Sequence, residues 1–465
     1  MERHATSRTF SGVPPSTRPI LLSGRSHLYR VEEGLWGTTG AQKVISQLNT
    51  QRSAVTKLTL NCNPLGDDGV AQLFTYLSST AGSRHRATLS EISLTSNNIG
   101  CRGLQAISEY IRGNDALNTL WMANNVLVPD AVAFSSLASA VNSSRLRFLS
   151  LSGNHQLGDT FVERFLPLLH SRHLHELHIS AVGLTVRSSP VIGAWISGKS
   201  LRNSGGACYL ETLKCSGNSL GVKGVWEIIR AVEKGNWGLI KVEMYANQLA
   251  ELPAAPDTGA VSFAHQASET EPSRVPETEE AWKDSERALH RVLMRNGYWK
   301  RQTEKEALIL LRYSRPLLLR PKSSPITSSP SQPPSPPLPS ATTLFPFYAL
   351  PNELKLYILA LLAPSLSSPQ RTRLYNYASD PSTLPPLLPP LRRDLGKGCL
   401  ADPSSVMGAT IGFPVTTPGA SGQRCAEGKC MGAANSLHCR REEERNRFLE
   451  AVGCCAYEPE PAGQD

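Results

Sequence analysis

The chain has 465 residues, 48 Lys and Arg against 39 Asp and Glu, and a formal net charge of +9. No apolar run approaches the roughly 18 residues of a membrane span, and MERHATSRTFSGVPPSTRPILLSG at the start holds no apolar core of signal-peptide length. A membrane-spanning protein is therefore not expected, and the ten Cys read as reduced thiols of a cytoplasmic or nuclear protein.

Taken in order, residues 1–30 are rich in Ser, Arg and Pro and are expected to be disordered. Within 31–54, AQKVISQLNTQ reads as a helix that caps the first repeat, since a solenoid end must cover its open core. From Val55 to Leu249 the pattern L-x-x-L-x-L-x-x-N-x-L recurs seven times, starting at Val55, Leu89, Leu117, Leu146, Leu174, Leu210 and Leu239. Leucines at positions one, four and six point inward from a short strand and its approach. Asn63, Asn97, Asn125, Asn154, Asn218 and Asn247 are placed to bond the backbone of a buried turn, whose polar groups need partners. Gly69, Gly103 and Gly224 are expected to let the chain turn into a helix. Apolar residues then recur at spacings of three and four, as in Val70, Leu73, Phe74 and Leu77. Insertions fall around SSTAGSRHRAT and SGKSLRNSGGACY, both on the return to the next strand.

Strand, turn and full helix with a period near 28 residues are the signature of a leucine-rich repeat. The pattern resembles the ribonuclease-inhibitor-like (RNI-like) subfamily. The resemblance implies an α/β horseshoe over 31–250 including the N-cap: a right-handed solenoid with parallel strands on the concave face and helices on the convex face. A helical C-cap and a largely disordered C-terminal third complete the expected architecture.

Gly193–Ser200 matches G-x-x-x-x-G-K-S as text. It falls at the end of a repeat helix and before a strand, the reverse of a phosphate-binding loop, and is read as carrying no nucleotide. Residues 251–280 form a linker rich in Pro, Ala, Thr and Glu. Residues 281–320 read as one long helix or a helical pair, with Trp282, Leu289, Val292, Leu293, Trp299, Leu308 and Leu311 on its apolar side and Pro316 as its stop. This is a basic module, since 281–322 hold eleven Lys/Arg against four Asp/Glu. It reads as a C-cap with a solvated basic face, or as a surface for an acidic partner. Nucleic acid is not favoured, because no stacking platform accompanies the charge.

Residues 321–342 are a Pro/Ser linker. Within 343–391, Leu350, Pro351, Glu353, Leu354, Ile358, Leu359 and Leu362 resemble the first helices of an F-box, which would bind the adaptor subunit of a cullin-type ubiquitin ligase. The same residues suit a helical hairpin folded back on the protein. Residues 392–465 are expected to be a mostly disordered, Cys-containing tail with one short helix in HCRREEERNRFLEAVGCC, where Phe448, Leu449 and Val452 share a face. The tail's Cys spacings fit no zinc motif. KRQTEKEALILLRYSR, LPNELKLYILALLAPSLSS and REEERNRFLEAVGC beside the repeats resemble uncharacterised fungal RNI-like proteins.

No nucleophile–base pair, carboxylate pair or metal-ligand set stands out, so no catalytic residue, cofactor or metal is assigned. His170, His173 and His175 read as surface residues flanking a loop, and His178 as a concave-face residue. The expected function is a non-enzymatic scaffold that binds a protein partner on the concave face. Because strand side chains alternate, that face should display Trp121, Phe148, His178, Lys214, Glu243 and Tyr245, with Trp121 and Phe148 side by side and exposed. Two alternatives name the partner: a ubiquitin-ligase adaptor for an F-box-like substrate receptor, or a small GTPase for a Ran-type GTPase-activating protein, whose horseshoe is similar. That family's functional residues find no matching positions here.

Overall fold

The structure, a computed structural model, describes residues 26–52, 54–198, 209–247, 279–319, 350–384 and 437–460. The expectations of disorder for 1–25, 252–278, 321–342 and 392–435 lie outside these residues. Eight parallel strands form one open sheet in chain order: β1 (Ser26–Tyr29), β2 (Val55–Thr59), β3 (Glu91–Ser93), β4 (Thr119–Trp121), β5 (Phe148–Ser150), β6 (Glu176–His178), β7 (Thr212–Lys214) and β8 (Lys241–Glu243). The outer layer is α1 (Gly37–Thr50), α2 (Gly66–Ser78), α3 (Ser83–Arg86), α4 (Cys101–Ile111), α5 (Ala131–Asn142), α6 (Gly158–Phe165), α7 (Ser189–Ile196) and α8 (Gly221–Gly235). The result is a right-handed α/β horseshoe.

Register follows the repeat. Leu58, Ile92, Leu120, Leu149, Leu177 and Leu213 pair in one row across the sheet and are fully buried. No strand–helix unit could bury that row alone; stacking makes one continuous core. Beside it runs a ladder of asparagines. Asn125 Oδ1 accepts the backbone N–H of Asn97 (3.0 Å) and of Ile99 (3.1 Å). Its Nδ2 donates to the carbonyls of Leu94 (3.0 Å) and Met122 (3.1 Å). Each Asn thus serves its own turn and the preceding one, which satisfies backbone groups that the packed repeats seal from water.

The N-terminal cap differs from a lone helix. Ser26–Tyr29 adds a strand ahead of the first recognised copy, and Leu28 pairs with Leu58. The unit is disguised in sequence: Arg30 stands where later repeats place Leu60, and Glu33 where they place Asn63. Asn63 covers the gap by accepting from the Glu33 and Leu35 N–H groups at 3.1 Å each.

The glycines act differently from expectation. The turn into the helix is made at Gly66 and Gly221, whose φ values are +60° and +66°. Gly69 and Gly224 lie further along α2 and α8, where a Cβ would meet Gly37 O at 2.4 Å and Ser189 Oγ at 2.4 Å. They permit neighbouring repeats to approach, rather than the turn itself.

At the far end, α9 (Glu279–Leu318) is a single helix of 40 residues. Its first half closes the last repeat: Trp282 is buried in the repeat core with Leu289, Val292 and Leu293 against it. Asn296 Nδ2 donates to the Asn236 and Leu239 carbonyls (3.1 and 2.8 Å), and the Arg295 guanidinium lies 3.8 Å over the Trp237 ring. The helix runs two residues past Pro316, which sits in its last turn, so the i→i−4 bond it cannot make is lost close to the helix end and the helix stops soon after.

The second half of α9 builds another core with α10 (Asn352–Ala360), α11 (Ser368–Ser379) and α12 (Leu437–Val452). Leu308, Leu310 and Leu311 of α9 meet Leu359, Leu374, Phe448, Leu449 and Val452 there. The tail helix is thus packed, and Cys454 and Cys455 after it are buried. Gln370 fastens it, donating to the Gly453 and Ala456 carbonyls at 3.1 and 3.0 Å.

A chain of alternating charges joins this module to the loops that enter β5, β6 and β7. Arg147 Nη2 lies 2.6 Å from Glu450 Oε1, and His175 Nε2 3.7 Å from the same oxygen. His175 Nδ1 is 2.9 Å from Glu211 Oε1, and Lys300 Nζ 2.6 Å from Glu211 Oε2. Glu304 continues the chain, pairing with Lys300 at 3.9 Å and with Arg445. His175 is therefore an enclosed ion-pair member rather than a loose surface histidine. Burial alone would lower its pKa, but its bonds to Glu211 and Glu450 raise it.

The concave face as a candidate protein-binding site

Pleating sends alternate strand residues to opposite sides, so each three-residue strand offers its first and third side chains to the concave face. The last residue of each strand from β2 on forms the row Thr59, Ser93, Trp121, Ser150, His178, Lys214 and Glu243; the residue two before it forms Lys57, Glu91, Thr119, Phe148, Glu176, Thr212 and Lys241.

Three aromatic side chains meet in the middle of this face. The rings of Trp121 and Phe148 are 4.2 Å apart between centroids, inclined at 42°. His178 stands edge-on to both, 6.0 Å from Trp121 and 4.7 Å from Phe148. Its Nε2 lies 2.6 Å from Glu176 Oε1, so the imidazole is fixed by a carboxylate on its own strand. Trp121 and Phe148 are half-buried rather than freely exposed, and His178 is 7% exposed. Mutual contact causes this: the tilted and edge-on rings shield part of one another. Ser93 and Ser150, small and buried beside the cluster, keep the rings from being walled in.

Lys214 and Glu243 do not join the cluster. They form a charged patch nearer the C-cap, where Glu243 lies 2.7 Å from Lys241 and 3.6 Å from Lys214. Burial would raise the Glu243 pKa; the two lysines outweigh it and lower it. Tyr245 lies beyond β8 and is 72% exposed, apart from the aromatic trio. At the other end Lys57 and Glu91 pair at 2.6 Å.

Tyr29 was hidden from sequence reasoning. It pairs with Thr59 in the same row and is 67% exposed. The signal for it was the apolar Leu28, which is legible only once β1 is recognised as a repeat strand.

The remaining motif gives no phosphate cradle. Gly193–Ile196 form the end of α7, Trp195 is buried with Nε1 donating to Leu169 O at 2.9 Å, and Lys199 and Ser200 lie outside the described residues. Among the described residues, no group of three or more His, Cys, Asp or Glu is placed to hold a metal ion, and no helix is long and apolar enough to cross a membrane.

Comparison with known proteins agrees with the geometry. A family model described as Leucine Rich repeat matches residues 85–108, which include β3 and most of α4. The chain is 28% identical over 247 residues to the Tonsoku-like protein of Mus musculus; the alignment covers 50% of this chain and 17% of that protein. The chain therefore spans less than a fifth of that relative's length. With eight parallel strands in register, a buried asparagine ladder and a matching repeat model, the chain is a leucine-rich repeat protein.

Proposed function

We propose that the protein is a non-enzymatic scaffold that holds a protein partner on its concave face, with Trp121 and Phe148 as the anchor. The observation that carries this reading is the half-buried Trp121–Phe148–His178 cluster amid small and charged neighbours. Aromatic anchors dominate the energetics of protein interfaces, and partly covered rings lose little conformational freedom when a partner completes their burial. Lys214, Lys241 and Glu243 supply a charged rim that sets orientation. The test is affinity capture with the full chain, read by mass spectrometry beside a Trp121→Ala/Phe148→Ala variant. Proteins retained by the first and lost by the second are the partners; an unchanged set removes the concave face from the reading.

A second reading has one observation in its favour. Helix α10 buries Leu359 but leaves Leu354 and Tyr357, with Leu361 just past its end, at 48%, 67% and 66% exposed. An apolar stripe of this kind suits the adaptor contact of an F-box-like receptor. Direct binding of a purified ubiquitin-ligase adaptor, abolished by Tyr357→Ala/Leu361→Ala, would decide for it. For the alternative of a Ran-type GTPase activator, acceleration of GTP hydrolysis by a Ran-like GTPase is the deciding measurement.

A further inference from the structure

The loops that lead from each helix into the next strand all lie at one edge of the sheet, because the strands are parallel and in register. Those before β2 to β6, the second of which includes the single-turn α3, carry Arg52, Arg84, Arg86, Arg112, Arg145 and Arg172, besides Arg147; the acid among them is Asp115. Backbone and side-chain bonds join successive loops, so the arginines stand in a row. Arg84 donates to Gln51 O, and Arg86 Nη2 donates to Arg112 O at 3.0 Å. The Arg145 N–H donates to Asn114 O at 3.3 Å, and its Nε lies 3.3 Å from Asp115 Oδ1. Acids collect instead at the opposite edge, where Asp67, Asp68, Asp130 and Asp159 stand at helix starts.

One end of the row is already occupied. Glu450 of α12 sits 2.6 Å from Arg147, with His173 and His175 at 3.8 and 3.7 Å. This is a carboxylate presented by a helix, seated on the loops that enter β5 and β6. Toward the N-terminus Arg52, Arg84, Arg112 and Arg145 remain exposed.

We infer that this arginine row is a docking edge for an acidic polypeptide segment of a partner, extending the seat that Glu450 fills. Guanidinium forks match carboxylates in pairs, and a row of them fixes the direction of an acidic strand or helix. The same charge would attract nucleic acid, but the described residues of these loops contain no Phe, Tyr or Trp on which bases would stack. The seated group is also a carboxylate. Because each exposed pair is weak and screened by salt, binding is collective and salt-dependent.

The experiment is fluorescence anisotropy of a labelled Glu-rich peptide with the full chain, beside a single-stranded DNA probe of similar charge. Expected is saturable peptide binding at low salt that weakens at least about tenfold in Arg84→Glu/Arg112→Glu/Arg145→Glu and about as much at roughly half-molar salt. Arg84→Gln/Arg112→Gln/Arg145→Gln serves if the reversal variant melts early, and should weaken binding by a smaller factor. Absence of peptide binding, or binding indifferent to both triple variants, overturns the inference. Tighter DNA binding lost in the same variants overturns it in favour of nucleic acid. Trp121→Ala/Phe148→Ala should bind the peptide unchanged, which separates this edge from the concave face.

Discussion

Arg147, in the loop before β5, holds Glu450 of the last helix at 2.6 Å. Through this contact and the His175–Glu211–Lys300 chain beside it, α12 is tied to the middle of the repeat array. Glu450 is largely shielded, with 19% of its side chain exposed. Replacing it by Gln leaves Arg147 without its anion and should destabilise the docking of α12 by about 1.5–3 kcal/mol, the range for a hydrogen bond to a charged group. Hydrogen exchange of α12 amides should accelerate by roughly 10- to 150-fold, while exchange in β3 and β4 stays unchanged. Equal acceleration in the central strands would show that the contact supports the whole fold rather than the tail.

The same chain predicts a pH optimum for docking. His175 has its pKa raised, so its contribution is complete below its ordinary value near 6.5 and is lost as pH rises through the raised one. Burial raises the Glu304 pKa and outweighs Lys300 and Arg445, so its contribution is present below the ordinary carboxylate value near 4.5 and is lost as pH climbs from there through the raised value. Glu211 moves the other way: burial opposes ionisation, but the His175 and Lys300 contacts bring it down to about 2. Glu450 is lowered as well, burial again being outweighed, by His173, His175 and Arg147. Their contributions are present above the ordinary carboxylate range near 4.5 and are lost as pH falls toward their depressed values. Docking should therefore be strongest within about pH 4.5 to 6.5, toward the acidic end of that range because of Glu304, and fall off more steeply above it as His175 loses its proton. Trp299 stacks on Tyr457 at 5.0 Å, so its fluorescence reports the docked tail. His175→Gln should flatten much of the alkaline limb; an unaltered profile would assign it to other groups.

In the repeat core, Leu120→Ala should cost about 2–5 kcal/mol, the range for a fully buried leucine. Asn125→Ala removes bonds to five backbone groups in two turns and should cost about 1–3 kcal/mol, since most of those groups stay buried. Denaturant unfolding measures both. A loss under about 0.5 kcal/mol for Asn125→Ala would mean that water reaches the ladder.

What was legible follows from the range of each interaction. The row Leu58 to Leu213 and the asparagines are periodic, so their spacing alone reveals strand, turn and stacking. Strand β1 escaped because Arg30 and Glu33 replace the diagnostic Leu and Asn, and the turn is served by Asn63 from the next repeat. The role of Gly69 escaped because the need for it comes from Gly37 on a neighbouring helix. The charge chain was least visible. Arg147, His175, Glu211, Lys300, Glu304 and Glu450 sit in five separate stretches, and no local pattern tells a buried ion pair from a solvated charge. Trp121 and Phe148 were placed on the right face by alternation, but their half-burial depends on His178 from a third strand.

The Gly193–Ser200 stretch should not bind nucleotide. Its first four residues are helical, and Trp195 is committed to Leu169 O. Calorimetric titration with ATP or GTP should show no binding tighter than about 100 μM, roughly −5.5 kcal/mol. Tighter binding, abolished by Lys199→Ala, would overturn this.

Partner binding should depend on Trp121 and Phe148 more than folding does. The rings are half-buried in the free protein and pack against each other, so the pair supports the fold modestly. Trp121→Ala/Phe148→Ala should cost about 1–2 kcal/mol of stability, from lost ring contact and partial exposure. On a bound partner the same change should cost about 2–4 kcal/mol, as expected when an aromatic anchor at an interface centre is removed. His178→Ala separates the two effects. It removes the edge-on support and the Glu176 bond but leaves both anchors in place. It should lower affinity by under about 1.5 kcal/mol, chiefly by loosening the rings. Binding measured by calorimetry alongside melting temperature, for the captured partner and all three proteins, gives the comparison. If the double variant loses stability and affinity in equal measure, the cluster belongs to the core; if it keeps full affinity, the partner sits elsewhere on the horseshoe.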